Sequence, residues 1–130
     1  ISASSEVLQR KPGNVELVGA VPRTEIFAQY HWADVFLLPS LCEGSASVTY
    51  EAMMAGLPVI CTPNTGSLVL DEKKKKIVPP FSAEAVAAAL QSWIDNPGAL
   101  EICREGATEL KPQLGLEAYC HRLLSHLSSV

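Results

Sequence analysis

A chain of 130 residues, 48% hydrophobic and 18% charged, has the size and mix of one globular domain able to bury a real core. Its net charge of −4 argues against a general role on nucleic acid or on a membrane surface, since either needs a basic face to attract phosphates over distance. Specific phosphate binding through main-chain N–H groups stays open.

Residues 1–12 are polar and run into Lys11-Pro12-Gly13-Asn14, a turn signal that closes any preceding helix. Val15 to Val21 alternates and then turns small and apolar, as a strand leading into a Pro22 turn would. Thr24 is placed to cap a helix reaching about Tyr30, with Ile26, Phe27 and Tyr30 at helical spacing. Val35 to Leu38 is a continuous apolar run, expected of a strand buried on both faces. A Gly/Ser turn follows, then a helix over 47–55 that Gly56 closes, with Pro58 just beyond.

Pro58 to Thr62 reads as the next strand, 63–67 as a loop, and Ile77 to Pro79 as a short fourth strand. Lys73 to Lys76, beside Asp71 and Glu72, reads as a solvated turn between strands. Ser82 caps a helix carrying Val86, Ala89, Leu90 and Trp93. Asn96-Pro97-Gly98 breaks it, a second helix reaches about Leu110, and a last one runs from about Leu116 to Leu127. Strands alternate with helices and no hairpin turn joins the first three. The economical solution is a doubly wound, Rossmann-like parallel sheet followed by C-terminal helices.

Cys42, Cys61, Cys103 and Cys120 show no close pairing, which reads as reduced, packed thiols in a cytoplasmic protein. His31, His121 and His126 are too scattered to predict a metal site, and no cofactor motif occurs. No apolar run reaches the length of a membrane span, and the start lacks the basic and apolar regions of a signal peptide. The first residue is not Met, so a fragment of a longer polypeptide is expected.

The chemistry concentrates in Pro39 to Ile60, where Glu43 and Glu51 stand with seven residues between them. Ligands of parallel sheets bind beyond the carboxyl ends of the strands, and the turn 39–47 lies at such an end. Gly44, Ser45, Ala46 and Ser47 are small enough to let a ligand approach main-chain N–H groups at the helix start. The helix dipole adds about half a positive charge there, without lysine or arginine. Carboxylates cannot hold phosphate, but they accept hydrogen bonds from neutral hydroxyls. A sugar nucleotide offers a sugar, a diphosphate and a ribose together. Taken singly, Glu43 and Glu51 read more simply as an exposed loop carboxylate and a solvent-facing helical residue.

Taken together, Pro39-Ser40, Glu43-Gly44, Glu51-Ala52-Met53 and Ala55-Gly56-Leu57-Pro58-Val59 resemble the signature of the retaining GT-B glycosyltransferases that use nucleotide sugars, the group 1 glycosyl transferases. Ala33 to Ser40 and Val18 to Pro22 are also similar to that family's pattern. The resemblance implies a partial GT-B half, with residues 1–130 as part of the C-terminal nucleotide-sugar-binding domain and the N-terminal domain missing. It implies donor-sugar contacts at Glu43, Gly44, Ser45 and Ala46, phosphate contacts at Ser47 and Val48, the ribose on Glu51, and the base near Gly19, Val21 and Pro22. It implies no metal in the donor site, no nucleophilic side chain, an acceptor of unknown identity, and any membrane contact through the missing domain. The fragment alone is expected to be inactive.

The alternative is a non-catalytic interaction or regulatory domain that keeps the GT-B fold without using its cleft. An unrelated nucleotide-binding module is disfavoured by the lack of Gly-x-Gly-x-x-Gly or Gly-x-x-x-x-Gly-Lys. His31 and Trp32 read as helix-end packing, and Asp34 as a capping or turn residue.

Overall fold

The computed structural model describes residues 11–44, 46–65 and 75–128, without the side chains of Lys75 and Lys76. Three strands, β1 (Phe36–Leu38), β2 (Val59–Cys61) and β3 (Lys75–Ile77), form a sheet in the order β1-β2-β3. Both pairings are parallel, with Leu37 opposite Ile60 and Ile60 opposite Lys76. Among the described residues five helices accompany them: α1 (Ile26–Trp32), α2 (Ser47–Met54), α3 (Ala83–Asp95), α4 (Pro97–Leu114) and α5 (Leu116–Leu127), with a 3-10 turn at Pro63–Thr65. The expected parallel α/β arrangement is therefore present.

The central strand β2 is completely buried. Because successive side chains of a strand point to opposite faces, Val59 and Cys61 enter one core cluster and Ile60 the other. The first cluster joins them to Tyr30 of α1, Ala52 and Met53 of α2, and Ala107 and Leu110 of α4. The second joins Ile60 to Val78, Trp93 of α3 and Cys103 of α4. Both faces of the sheet are thus covered at β2, and α4 serves both.

The ends of α2 explain why so short a helix holds. At its C-terminus Gly56 adopts φ +85, the Gly56 N–H donates to the Met53 carbonyl, and the Leu57 N–H donates to the Ala52 carbonyl. That is the Schellman arrangement, and its left-handed residue favours glycine. Leu57 then drops straight into the core at 2% exposure, which starts β2 two residues later. Ser82 caps α3 as expected, its Oγ accepting from the Ala85 N–H at 3.1 Å, and Asn96 caps α4 in the same way at 3.2 Å.

Several expectations are corrected. Residues 15–20 form no strand; Val15, Leu17 and Val18 are exposed, and no described strand pairs with them, so alternation alone has nothing to hydrogen-bond to. Thr24 is not the cap of α1: the helix begins at Ile26 behind Glu25, without a side-chain cap, and runs on to Trp32. β1 is not buried on both faces; among the described residues it borders only β2 and leaves Leu37 exposed. β3 lies at 75–77 rather than 77–79, since Pro79 and Pro80 have no N–H to give to a ladder; Val78 makes the last such bond, to the Cys61 carbonyl. Lys75 and Lys76 therefore belong to a strand, not to a solvated turn, while Asp71 to Lys74 lie outside the described residues, as do residues 1–10 and Gly66-Ser67. Helix α4 runs past Leu110 and through Pro112 to Leu114, which packs against the first cluster.

Phe81 has φ 61, a left-handed conformation for a bulky residue, and is 84% exposed in the turn between Pro80 and the cap of α3. Cys61 and Cys103 are buried and in no disulfide, whereas Cys42 and Cys120 are exposed rather than packed. No described helix is long and apolar enough to cross a membrane.

Candidate functional site

All three strands run the same way, so the segments leaving β1 and β2 emerge on one edge of the sheet. Residues 39–46 and 62–65 meet there and are laced together. The Glu43 N–H donates to the Asn64 carbonyl at 3.0 Å and the Ala46 N–H to the Thr65 carbonyl at 3.0 Å. In return, Asn64 Nδ2 donates to the Leu41 carbonyl at 2.8 Å and Thr62 Oγ1 to the Ser40 carbonyl. Thr65 Oγ1 also ties back to the Thr62 carbonyl, so both buried threonines spend their hydroxyls on holding loops. The turn that precedes α2 is held by hydrogen bonds at four points, although Leu41 to Gly44 are exposed.

Ala46 is buried and fully used: its N–H serves Thr65, and its carbonyl accepts from the Thr49 N–H and from Thr49 Oγ1 at 2.7 Å. It anchors the turn instead of offering its main chain outward. Among the described residues no side chain caps α2. The Ser47 and Val48 N–H groups are the first of those that a helix leaves without an internal acceptor, and no described group takes them. Ser47 is exposed and Val48 half-buried, so this end of the helix is open to solvent.

The two glutamates differ in setting. Glu43 is exposed on the turn, and Ser40 Oγ donates to its Oε1 at 3.0 Å, a bond that orients the carboxylate without hiding it. Glu51 is half-buried on α2 and accepts from the Tyr30 hydroxyl at 3.2 Å. The simple reading of Glu51 as a solvent-facing helical residue is thereby corrected. Burial, then the negative charge of Glu51 and its acceptance of the hydroxyl proton, raise the Tyr30 phenol above its ordinary pKa of 10.0. Tyr30 is itself core, with Phe27 and Phe36 edge-on to its ring at 5.8 Å each.

Gly19, Val21 and Pro22 lie in the segment that leads into α1, with Gly19 at φ 78 and the Pro22 carbonyl accepting the Glu25 N–H. Among the described residues no hydrogen bond or ion pair ties them to 43–51; the link runs through α1 and Tyr30. Ser45 lies outside the described residues. His31 Nδ1 donates to the Phe27 carbonyl at 2.6 Å, a helix-end bond, but Trp32 is 83% exposed and packs on nothing like a core. Asp34 forms a surface pair with Arg104.

Sequence reasoning missed Tyr30, Thr62, Asn64 and Thr65. Tyr30 was legible only as an apolar helical position; the signal was a tyrosine where phenylalanine would fill the same core, because a buried hydroxyl needs a partner.

This pattern of residues matches the family model for glycosyl transferases group 1 over residues 4–110. The chain belongs to that family. A glycosyltransferase of Salmonella typhimurium assigned to colanic acid biosynthesis, WcaL, is 31% identical over 126 residues, covering 89% of this chain and 31% of its own length. The glycogen synthase of Mycobacterium tuberculosis is 36% identical over 87 residues, covering 65% of this chain and 21% of its own length. The amylovoran biosynthesis glycosyltransferase AmsK of Erwinia amylovora is 39% identical over 84 residues, covering 58% of this chain and 21% of its own. The chain spans between a fifth and a third of the length of these curated relatives.

Proposed function

We propose that residues 1–130 are part of the C-terminal, donor-binding domain of a retaining GT-B glycosyltransferase, which moves a hexosyl group from a nucleotide sugar to an acceptor. Membership of the group 1 family and the parallel sheet covered on both faces support this reading. The observation that carries it is the uncapped N-terminus of α2, held at the carboxyl edge of the sheet between Glu43 and Glu51.

In this reading the diphosphate docks on the Ser47 and Val48 N–H groups, where the helix dipole favours negative charge. Glu43, with Gly44 and Ser45, accepts hydrogen bonds from the donor sugar, and Ala46 keeps that turn in place. Glu51 accepts from the ribose, and the base lies toward Gly19, Val21 and Pro22. As the glycosidic bond breaks, its electron pair leaves with the diphosphate. A diphosphate oxygen takes the proton of the acceptor hydroxyl on the same face of the sugar, so configuration is kept without a side-chain nucleophile or a metal. Acceptor binding, water exclusion and any membrane contact fall to an N-terminal domain, and this chain by itself is inactive.

The test is nucleotide binding by the full polypeptide. UDP, GDP and ADP and their glucose conjugates should be titrated while the amide signals of residues 43–51 are followed by NMR. At least one should shift them, and Glu51→Ala should weaken its binding roughly tenfold or more, the loss of a charge-assisted hydrogen bond. Unshifted amides, or unchanged affinity in Glu51→Ala, would remove the site.

A further inference from the structure

We propose that Tyr30 is a positioning residue for the donor: its hydroxyl aims the Glu51 carboxylate, leaving one oxygen free for the ligand. The proposal rests on the reading of Glu51 given above and adds a residue on a different element. Three features of the structure carry it.

Tyr30 is only 6% exposed, and its ring is clamped edge-on by Phe27 from its own helix and by Phe36 from β1. A ring held on two sides fixes where its hydroxyl sits. That hydroxyl spends its proton on Glu51 Oε2, across 21 residues of chain. Among the described residues Glu51 has no other hydrogen-bond or ion-pair partner, so Oε1 keeps both of its lone pairs.

A glutamate on a helix surface has three side-chain torsions to settle. Ordering such a chain on binding costs affinity unless something orders it beforehand. Tyr30 does so, and it works from within the core, where it does not compete with the ligand for the open oxygen. It also joins the two ligand-facing stretches: α1 continues from the Gly19 to Pro22 segment, and Glu51 belongs to the helix behind the phosphate-facing turn. Phenylalanine would fill the same space in the core. The hydroxyl serves Glu51.

The experiment is a double-mutant cycle on nucleotide binding in the full polypeptide, read by calorimetry with whichever of UDP, GDP or ADP binds the unaltered protein. Tyr30→Phe should weaken binding roughly three- to tenfold, the cost of ordering a free side chain. Glu51→Ala should weaken it further, and adding Tyr30→Phe to Glu51→Ala should change nothing more, because the tyrosine acts only through the glutamate. Losses that multiply would mean a merely structural role and would overturn the proposal, as would wild-type affinity in Tyr30→Phe. If Glu51→Ala alone binds normally, the ribose role fails first and Tyr30 falls with it.

A second pair of variants covers the case in which Tyr30→Phe does not fold. Glu51→Gln keeps the length and an acceptor for Tyr30, and should bind better than Glu51→Asp, whose shorter carboxylate retreats from the hydroxyl. The reverse order would overturn the proposal.

Discussion

Helices α2 and α5 end in opposite circumstances. α2 has eight residues, and Thr49, Ala52 and Met53 are buried, with its turn laced to 62–65 at one end and a Schellman closure at the other. α5 has twelve and buries none: Leu116, Tyr119, Leu123, Leu124 and Leu127 are all exposed. Helical propensity and amphipathic pattern favour α5, yet the energy lies in α2, because a short helix gains its stability from tertiary packing and not from its own hydrogen bonds. Rigidity follows the same division. The helix that is fixed at both ends is the one whose N-terminus faces solvent, as the site proposed above requires of a preorganised element.

The comparison can be broken by substitution. Met53→Ala should cost the most, about 3 kcal/mol of unfolding free energy, since the side chain is fully buried between the sheet and α4. A loss under 1 kcal/mol in denaturant unfolding would mean that α2 is not the anchored element. Gly56→Ala should cost about 1 kcal/mol. A Cβ at 56 would meet Lys111 Nζ and Thr108 Oγ1 at an ordinary 3.5 Å, so the penalty is the left-handed backbone alone. A loss of several kcal/mol would instead point to crowding against α4.

Leu123→Ala, on the face that α5 leaves open, should move stability by no more than about 0.5 kcal/mol. A large loss would show that the face is covered in solution and that the contrast with α2 is one of partners rather than of packing. The binding effects of Glu51→Ala and Tyr30→Phe are expected without comparable loss of stability, because a half-exposed hydrogen bond is worth about 1 kcal/mol or less to the fold.

Much of the fold was readable where one residue type has one physical use. Gly56 stops α2 because only glycine takes that φ without strain, and Ser82 caps because its oxygen reaches a free N–H. Val59-Ile60-Cys61 is a strand inside the apolar run Pro58 to Thr62, as its pattern indicates. Local pattern failed where an outcome depends on neighbours. Val15 to Val21 has the alternation of a strand and no described strand beside it, and Leu37 sits in an apolar run yet is exposed among the described residues. β3 moved two residues forward because ladder bonds, not hydropathy, set its register.

The candidate site divides in the same way. Glu43, Gly44 and the small residues before α2 could be picked out as a candidate turn because, taken together, they resemble the family's signature. That family pattern was written in the chain. Tyr30, Thr62, Asn64 and Thr65 could not be picked out, because each meets a residue or loop 19 or more positions away, and no local spacing reveals such a partner. The sequence by itself determined which groups were available and where helices had to stop. Only the tertiary structure decided which carboxylate is held and which helix is anchored, because both depend on side chains brought together across the sheet.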